Sequence, residues 1–346
     1  ITAMKNKAEE GIFGYVYRPD SYYKSASDWI ERRFNYKIDE KTLINSPGVV
    51  PSLSILIRQL TNIGDKILIQ TPVYYPFSAV IKENNRTLVE NRLTKDINGF
   101  YTIDFEDFEE KLSDENLKLF IFCSPHNPVG RVWTKEEVEK ISLLCLKHNV
   151  RVISDEIWRD IIMPGHIHIP TASINIEVEK NTITCFSPTK TFNIAGLQSS
   201  FVTFPNRDEW IAFDTELGLL DIKRNNPFSL VAFETAYTQC DEWVDQLNKY
   251  LDENMNYVIE FFKENVPQIK IFKPQGTYLM WLDFSALGLK KDELTLFIQK
   301  EAKVAMDDGL WFGDNGEGFE RINIACPKYM LEEGLNRIAT AINKHF

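Results

Sequence analysis

The sequence predicts an α/β protein: a large domain built on a mostly parallel sheet between helices, and a smaller α+β domain. Three observations carry this expectation. Five short, almost wholly apolar runs, at 66–70, 119–122, 151–154, 182–186 and 200–204, alternate with longer helical patterns. Runs of that kind are strands buried on both faces, and strands alternating with helices build parallel sheets. After Asn225 the pattern changes to long helical stretches with two short strand-like pieces, at 277–283 and 321–325. The 346 residues also exceed what one hydrophobic core usually serves.

The helices expected between the first strands span 52–62, 76–84 and 135–148. The third has a clear start, because Thr134 can cap it while Glu137, three residues on, returns the bond. Later helices are expected over 228–239, 243–264, 291–303 and 330–344. Residues 4–10 read like the end of a polar helix, which predicts further chain upstream of Ile1. The glycine-rich segment 313–318 lacks the strand–GxGxxG–helix order of a dinucleotide site and reads as a flexible loop.

Composition narrows the class. With 44% hydrophobic and 26% charged residues the chain is neither disordered nor fibrous. Fifty acidic against thirty-nine basic residues give a net charge of −11, which repels polyphosphate and argues against nucleic acid as a partner. The five cysteines are odd in number, widely spaced and without C-x-x-C pairs. They read as reduced core thiols of a cytoplasmic protein and imply no metal. No apolar run approaches the ~18–20 residues of a membrane span.

The residues that carry chemistry follow the strands. Lys190 stands just after the run 182–186, so its amine emerges at the carboxyl edge of the sheet, where α/β folds hold ligands. Asp155 follows the run 151–154; a carboxylate there can face a buried cationic ring nitrogen, or simply cap a helix. Asn127 lies in Ser124-Pro125-His126-Asn127-Pro128-Val129-Gly130, a rigid turn after a strand that can aim its amide at a ligand oxygen. Ser46-Pro47-Gly48-Val49-Val50-Pro51-Ser52 leads into a helix. Gly48 allows close backbone approach there, and the free amides of Val49 and Val50 can meet a phosphate. Ser187 offers a second phosphate donor, Tyr75 a ring to stack on a planar ligand, and Arg321 a fork for a carboxylate. Each of these residues alone is an ordinary core or surface feature.

Together these segments resemble the class I/II aminotransferases, which are fold-type I enzymes dependent on pyridoxal 5′-phosphate (PLP), and within them the cystathionine β-lyase-like C–S lyases. The resemblance runs from Phe13-Gly14-Tyr15 through Thr71-Pro72-Val73-Tyr74-Tyr75-Pro76-Phe77, Ser154-Asp155-Glu156-Ile157 and Lys190-Thr191-Phe192-Asn193-Ile194-Ala195-Gly196-Leu197 to Gly276-Thr277-Tyr278 and Arg321-Ile322-Asn323-Ile324-Ala325-Cys326-Pro327. It implies the aspartate-aminotransferase fold, with 36–240 as the large domain and 1–35 plus 241–346 as a small domain built from both chain ends. It also implies that Lys190 holds PLP as a Schiff base, Asp155 pairs with the pyridine nitrogen, Asn127 binds the ring oxygen, Tyr75 stacks on the ring and Arg321 holds the substrate carboxylate. Tyr15 matches the tyrosine that reaches the neighbouring subunit's phosphate, so a homodimer is expected.

The activity this implies is carbon–sulfur β-elimination from an L-cysteine conjugate such as cystathionine; the alternative is transamination, which needs the same residues. Two positions depart from the aminotransferase pattern. Gln198 replaces an arginine eight residues after the lysine, and Trp158 stands where His or Tyr is usual, three residues after the aspartate. An indole donates a hydrogen bond but does not titrate. A PLP-binding regulatory module is a further class, but no basic helix-turn-helix segment is present in the sequence.

Overall fold

The computed structural model describes residues 1–97, 99–290 and 292–346. Lys291, the first residue of the helix expected over 291–303, lies outside them. Seven strands form the large sheet: β1 (Leu43–Ser46), β2 (Lys66–Thr71), β3 (Thr87–Arg92), β4 (Leu117–Cys123), β5 (Arg151–Asp155), β6 (Thr182–Phe186) and β7 (Ser200–Thr203). Their order is β1-β7-β6-β5-β4-β2-β3. The run from β3 to β6 is parallel, and β7 alone is antiparallel to both of its neighbours.

Alternation along the strands explains the layers. Ile67, Ile69, Ile121, Ile153 and Ile183 face one side, where Leu53, Ile57 and Phe77 cover them from the helices Val49–Leu60 and Pro76–Glu83. Leu68, Phe120, Phe122 and Val152 face the other side, against Phe108, Val138 and Ile141 of the helices Phe105–Leu112 and Lys135–Lys147. Residues i and i+2 share a face of a strand, so an apolar run with both sets buried needs helices on both sides. The capping box at Thr134 and Glu137 is present. The helix expected at 52–62 begins earlier, at Val49, with Pro51 in its first turn. A proline costs nothing there, because the first N–H groups of a helix have no internal partner.

The small sheet contains β8 (Lys270–Ile271), β9 (Leu279–Asp283), β10 (Asp307–Asp308) and β11 (Phe319–Asn323), antiparallel in the order β8-β9-β11-β10. The helices Asp241–Asn265 and Lys328–His345 bury Leu251, Met255, Val258, Leu335, Ile338 and Ile342 in one cluster with Met280, Leu282 and Ile322.

The glycine-rich segment departs from expectation, and the placement of the N-terminal helices bears on where the domains divide. Residues 20–34 form a helix whose Tyr22, Ala26, Trp29 and Ile30 pack with Phe186 and Phe201 of the large sheet and with Phe233 and Tyr237. The apolar cluster of the small sheet contains none of residues 1–35. We propose a division near residue 240, with the N-terminal helices on the large-sheet side. The glycine-rich segment 313–318 is a packed turn rather than a flexible loop. Asn315 Nδ2 donates to Thr71 O at 3.0 Å, and Gly313 takes a positive φ of 130°. A Cβ on Gly316 would lie 2.0 Å from Gly309 O, so the two backbones pass too closely for any side chain. Phe312 O next to this turn accepts Val73 N–H at 3.0 Å, which ties the turn to the segment that carries Tyr75.

Candidate active site

A cavity of about 360 Å³ opens at the carboxyl ends of the parallel strands. Gly48, Val49, Val50, Tyr75, Asn127, Asp155, Lys190 and Arg321, predicted from separate segments, all line it. Ser187 and Tyr15 do not line it.

Lys190 sits in the turn that follows β6. Thr191 Oγ1 donates to Asp160 Oδ2 at 2.8 Å, and Ile194 N–H and Phe192 N–H bond to Thr189 O and Pro188 O, so the loop is fixed on both sides of the lysine. Its ammonium lies 5.7 Å from the centroid of the Trp158 ring, which itself meets Tyr278 edge-on at 4.6 Å. Burial, then the Arg321 charge, push the Lys190 amine below the usual lysine range, with Asp155 opposing. A buried ammonium is destabilised relative to the neutral amine, and the neutral amine is the nucleophile and base.

Asp155 ends β5 between Cys123 of β4 and Cys185 of β6. Its Oδ1 accepts Ile157 N–H at 3.1 Å, and burial raises the carboxyl to about 7. Such a carboxylate is stabilised by a cation placed against it.

Asn127 is buried, and its Oδ1 accepts Arg321 Nη1 at 2.8 Å, which leaves the Nδ2 hydrogens free for the cavity. The turn holding Asn127 is pinned by His126, whose Nε2 lies 2.9 Å from Pro72 O. Burial lowers that imidazole to about 4, so it is neutral and donates to the carbonyl. Gly130 closes the same turn at φ 71°, with Pro274 only 2.5 Å from where a Cβ would stand.

Arg321 comes from the middle of β11. Its Nε and Nη2 donate to Asp307 Oδ2 at 3.0 and 2.5 Å, and its guanidinium stacks over Phe312 at 4.6 Å. Tyr75 lies at the start of the helix Pro76–Glu83, half-exposed, with its ring 5.3 Å from Tyr74 and 5.9 Å from Trp311. Val49 and Val50 open the helix Val49–Leu60, so their N–H groups are among the four that no helical carbonyl reaches.

The Ser187 hydroxyl is used inside its own loop, bonded to Thr189 Oγ1 and to Ser199 O, both at 2.8 Å. Tyr15 is 92% exposed, under the Arg224 guanidinium at 4.9 Å. Sequence reasoning missed Asp307 and assigned no role to Tyr74 or Tyr278, all of which line the cavity. Tyr278 lay within a quoted motif, but only the pairing of β9, β10 and β11 brings Asp307 to the site.

The chain is similar to proteins of known class over nearly all its length. The family model described as aminotransferase class I and II matches residues 2–338. Cystathionine beta-lyase PatB of Bacillus subtilis (strain 168) is 41% identical over 342 residues, covering 99% of this chain and 88% of the relative. The structure of cystalysin from Treponema denticola, which contains pyridoxal 5′-phosphate, superposes with a TM-score of 0.96 at 38% identity, over 99% of this chain and 87% of that one. A PLP-bound structure from Clostridium difficile 630 that carries an aminotransferase name gives a TM-score of 0.97 at 53% identity, over 99% and 88% of the two chains. The chain therefore belongs to the class I and II aminotransferase family.

Proposed function

We propose that this chain is a PLP-dependent carbon–sulfur β-lyase that releases pyruvate, ammonia and a thiol from L-cysteine conjugates such as L-cystathionine. The observation that carries the reading is the convergence of Lys190, Asp155 and Arg321 on one cavity. The residues fit the cofactor. Asp155 presents a buried carboxyl that a pyridinium nitrogen would keep ionised, Asn127 has free amide hydrogens for the ring oxygen, and Val49 and Val50 offer unpaired N–H groups to the phosphate. Tyr75 supplies a ring beside this cradle.

Bound there, PLP supplies an electron sink for charge developing at the substrate α-carbon. Arg321 holds the substrate α-carboxylate and so fixes which α-bond faces Lys190. Lys190, poised towards its neutral form, takes the α-proton as general base. Asp155 keeps negative charge against the ring nitrogen while that proton moves. Trp158 packs beside the lysine without a proton to give or take, so Lys190 is the titrating group on that side. Loss of the thiolate from the β-carbon and addition of water complete the balance to pyruvate and ammonia.

The curated relatives support the lyase exit, PatB above all. The aminotransferase name of the Clostridium difficile relative favours a second reading, transfer of the amino group to a keto acid. One assay separates them: purified protein with L-cystathionine and no keto acid. The lyase reading expects pyruvate, ammonia and homocysteine in equal amounts. No pyruvate, together with amino-group exchange once 2-oxoglutarate or pyruvate is added, establishes the transferase instead.

The same reading places the enzyme in the cytoplasm as a homodimer, with Tyr15 reaching the neighbouring site. The exposed Ile12, Phe13, Tyr15 and Tyr17 support the dimer, since exposed apolar clusters mark association surfaces. All five cysteines are free thiols, and among the described residues no helix is long and apolar enough to cross a membrane.

A further inference from the structure

Backbone pairing between β5 and β6 ends at Asp155 and Cys185, where Glu156 N–H donates to Cys185 O at 2.8 Å. Lys190 lies beyond that point, so the sheet alone does not set its position relative to Asp155. The two chain segments meet again at Asp160, in the turn that follows Asp155. Asp160 Oδ2 accepts Thr191 Oγ1 at 2.8 Å, next to the lysine, and Trp158 of the same turn lies 5.7 Å from the ammonium.

Asp160 is tied on two further sides. Its Oδ1 accepts the Trp29 indole N–H at 2.9 Å, and its carbonyl accepts Asn248 Nδ2 at 2.8 Å. Trp29 is fully buried in the helix Asp20–Phe34, and its ring meets Phe192 edge-on at 5.9 Å. Thr191 and Phe192, the residues that follow Lys190, therefore rest on one buried carboxylate and one indole. Asn248 belongs to the helix Asp241–Asn265, so the long helix behind the small sheet joins the same point. The Asp160 side chain is buried, yet its hydrogen-bond donors are a neutral indole and a neutral hydroxyl. A carboxylate withdrawn from water costs free energy that neutral partners offset only in part. What it supplies in return is geometry: two oxygens at a fixed angle, each able to take a donor from a different element.

We infer that Asp160 is a positioning residue: it holds the loop of Lys190 in register with the turn that carries Asp155, so that amine and carboxyl open onto the cavity at a fixed separation. The inference rests on the proposed role of Lys190 as the PLP-bound lysine and base, and it holds for the lyase and the transferase exit alike. The effect is geometric. Burial and the charges of Arg321 and Asp155 shift the Lys190 amine, and the charge of Asp160 is not among the causes. An asparagine at this position keeps both links, with its oxygen accepting from the indole and its nitrogen donating to the threonine hydroxyl.

Two measurements test the inference. Apoprotein is mixed with PLP and the rate of covalent attachment is followed by cofactor absorbance, with borohydride reduction and peptide mapping to identify the lysine. The loaded enzyme is then given L-alanine in D2O, and exchange of the α-proton is followed by NMR; alanine has no β-thiolate, so the exchange reports on the base without the later steps. Thr191→Val keeps the shape and removes the hydroxyl, and it should slow attachment and maximal exchange by roughly tenfold to a hundredfold. Half-saturating alanine should stay within about threefold of wild type, because Arg321 in the small sheet holds the carboxylate. Asp160→Ala should be at least as slow, and adding Thr191→Val to it should change the rates by less than about twofold, since both remove one link. Asp160→Asn should remain within about threefold of wild type. Thermal melts establish that each variant is folded; if Asp160→Ala is not recovered, Thr191→Val and Asp160→Asn decide between them. Rates in Thr191→Val within about twofold of wild type, or Asp160→Asn as slow as Thr191→Val, overturn the inference. A wild type labelled on another lysine removes the Lys190 assignment and the inference with it. A wild type that attaches PLP at Lys190 but exchanges no α-proton removes Lys190 as the base, and the attachment rates then decide the role of Asp160.

Discussion

Asn127 and Arg321 lie 194 residues apart and are joined by one hydrogen bond, Nη1 to Oδ1 at 2.8 Å. It links the turn after β4 in the large sheet to the middle of a strand in the small sheet. In the function proposed above the same asparagine also donates to the cofactor, so the proposed cofactor- and substrate-binding groups share a side chain.

This sharing predicts a double effect for Asn127→Ala. A hydrogen bond to a charged group is worth about 1.5–3 kcal/mol, or roughly tenfold to a hundredfold in affinity. The variant should bind PLP at least about tenfold more weakly and, once saturated with PLP, show a raised KM because Arg321 loses an anchor. Fluorescence titration of the apoprotein and steady-state kinetics measure the two separately. Values of both close to wild type would break the proposed link.

Lys190→Ala should abolish covalent attachment of the cofactor. Among the described residues Lys190 is the lysine that lines the cavity, and it lies in a loop fixed on both sides. Borohydride reduction followed by peptide mapping reads the result, and a pyridoxyl label on any other lysine of the wild type refutes the assignment.

Most of this site was legible in the sequence because three of its residues follow apolar strands. Asn127, Asp155 and Lys190 stand just beyond or at the ends of β4, β5 and β6, which are adjacent and parallel, so locating the strands places the side chains on one edge. Edge strands were harder. Leu43–Ser46 is buried but has only four residues, two of them polar, and Thr87–Arg92 is polar at four of its six positions and mostly partly exposed, so neither shows as an apolar run. Asp307 had no local signal, since its place depends on antiparallel pairing across 14 residues of loop and helical turn. Ser187 follows β6 as the sequence places it, and the hydrogen bonds of its hydroxyl to Thr189 and Ser199 depend on neighbours that the local sequence does not reveal. Tyr22 and Trp29 of the helix at 20–34 find aromatic partners in Phe201 and Tyr237, which supports the proposed placement of that helix beside the large sheet.

Asp155 predicts a pH dependence in the cofactor-free protein. Burial holds its carboxyl at about 7, above the unfolded value of ~3.9. Between those values the folded chain binds more protons than the unfolded chain, so this group costs stability as pH rises from about 4 to about 7. The amide introduced by Asp155→Asn does not titrate, so the variant apoprotein should gain in melting temperature over wild type between about pH 5 and about pH 7.5. Glu320, also raised to about 7 by burial, is common to both proteins and cancels. Thermal melts at the two pH values test this, and a gap that does not change with pH would show that the carboxyl ionises freely. PLP should narrow the gap at the higher pH, because the ring nitrogen supplies the missing cation to the wild type.

Arg321→Lys isolates the carboxylate clamp from simple charge. Lysine keeps the positive charge but replaces a planar fork by a single ammonium, so it cannot bond Asn127 and grip a carboxylate through two parallel N–H groups at once. The loss falls on substrate binding, because the carboxylate is held before the α-proton moves and remains held while it moves. Losing an interaction equal in the ground and transition states raises KM and leaves kcat largely intact. With one charge-assisted bond lost, KM for L-cystathionine should rise about tenfold to a hundredfold, while kcat falls by much less. Asp307 sharpens the expectation: it follows the residual charge, so the lysine is still drawn towards Asp307 and away from the substrate. Arg321→Lys combined with Asp307→Asn should therefore recover part of the lost affinity. An unchanged KM in Arg321→Lys, or a double variant weaker than the single one, would place the α-carboxylate on another group.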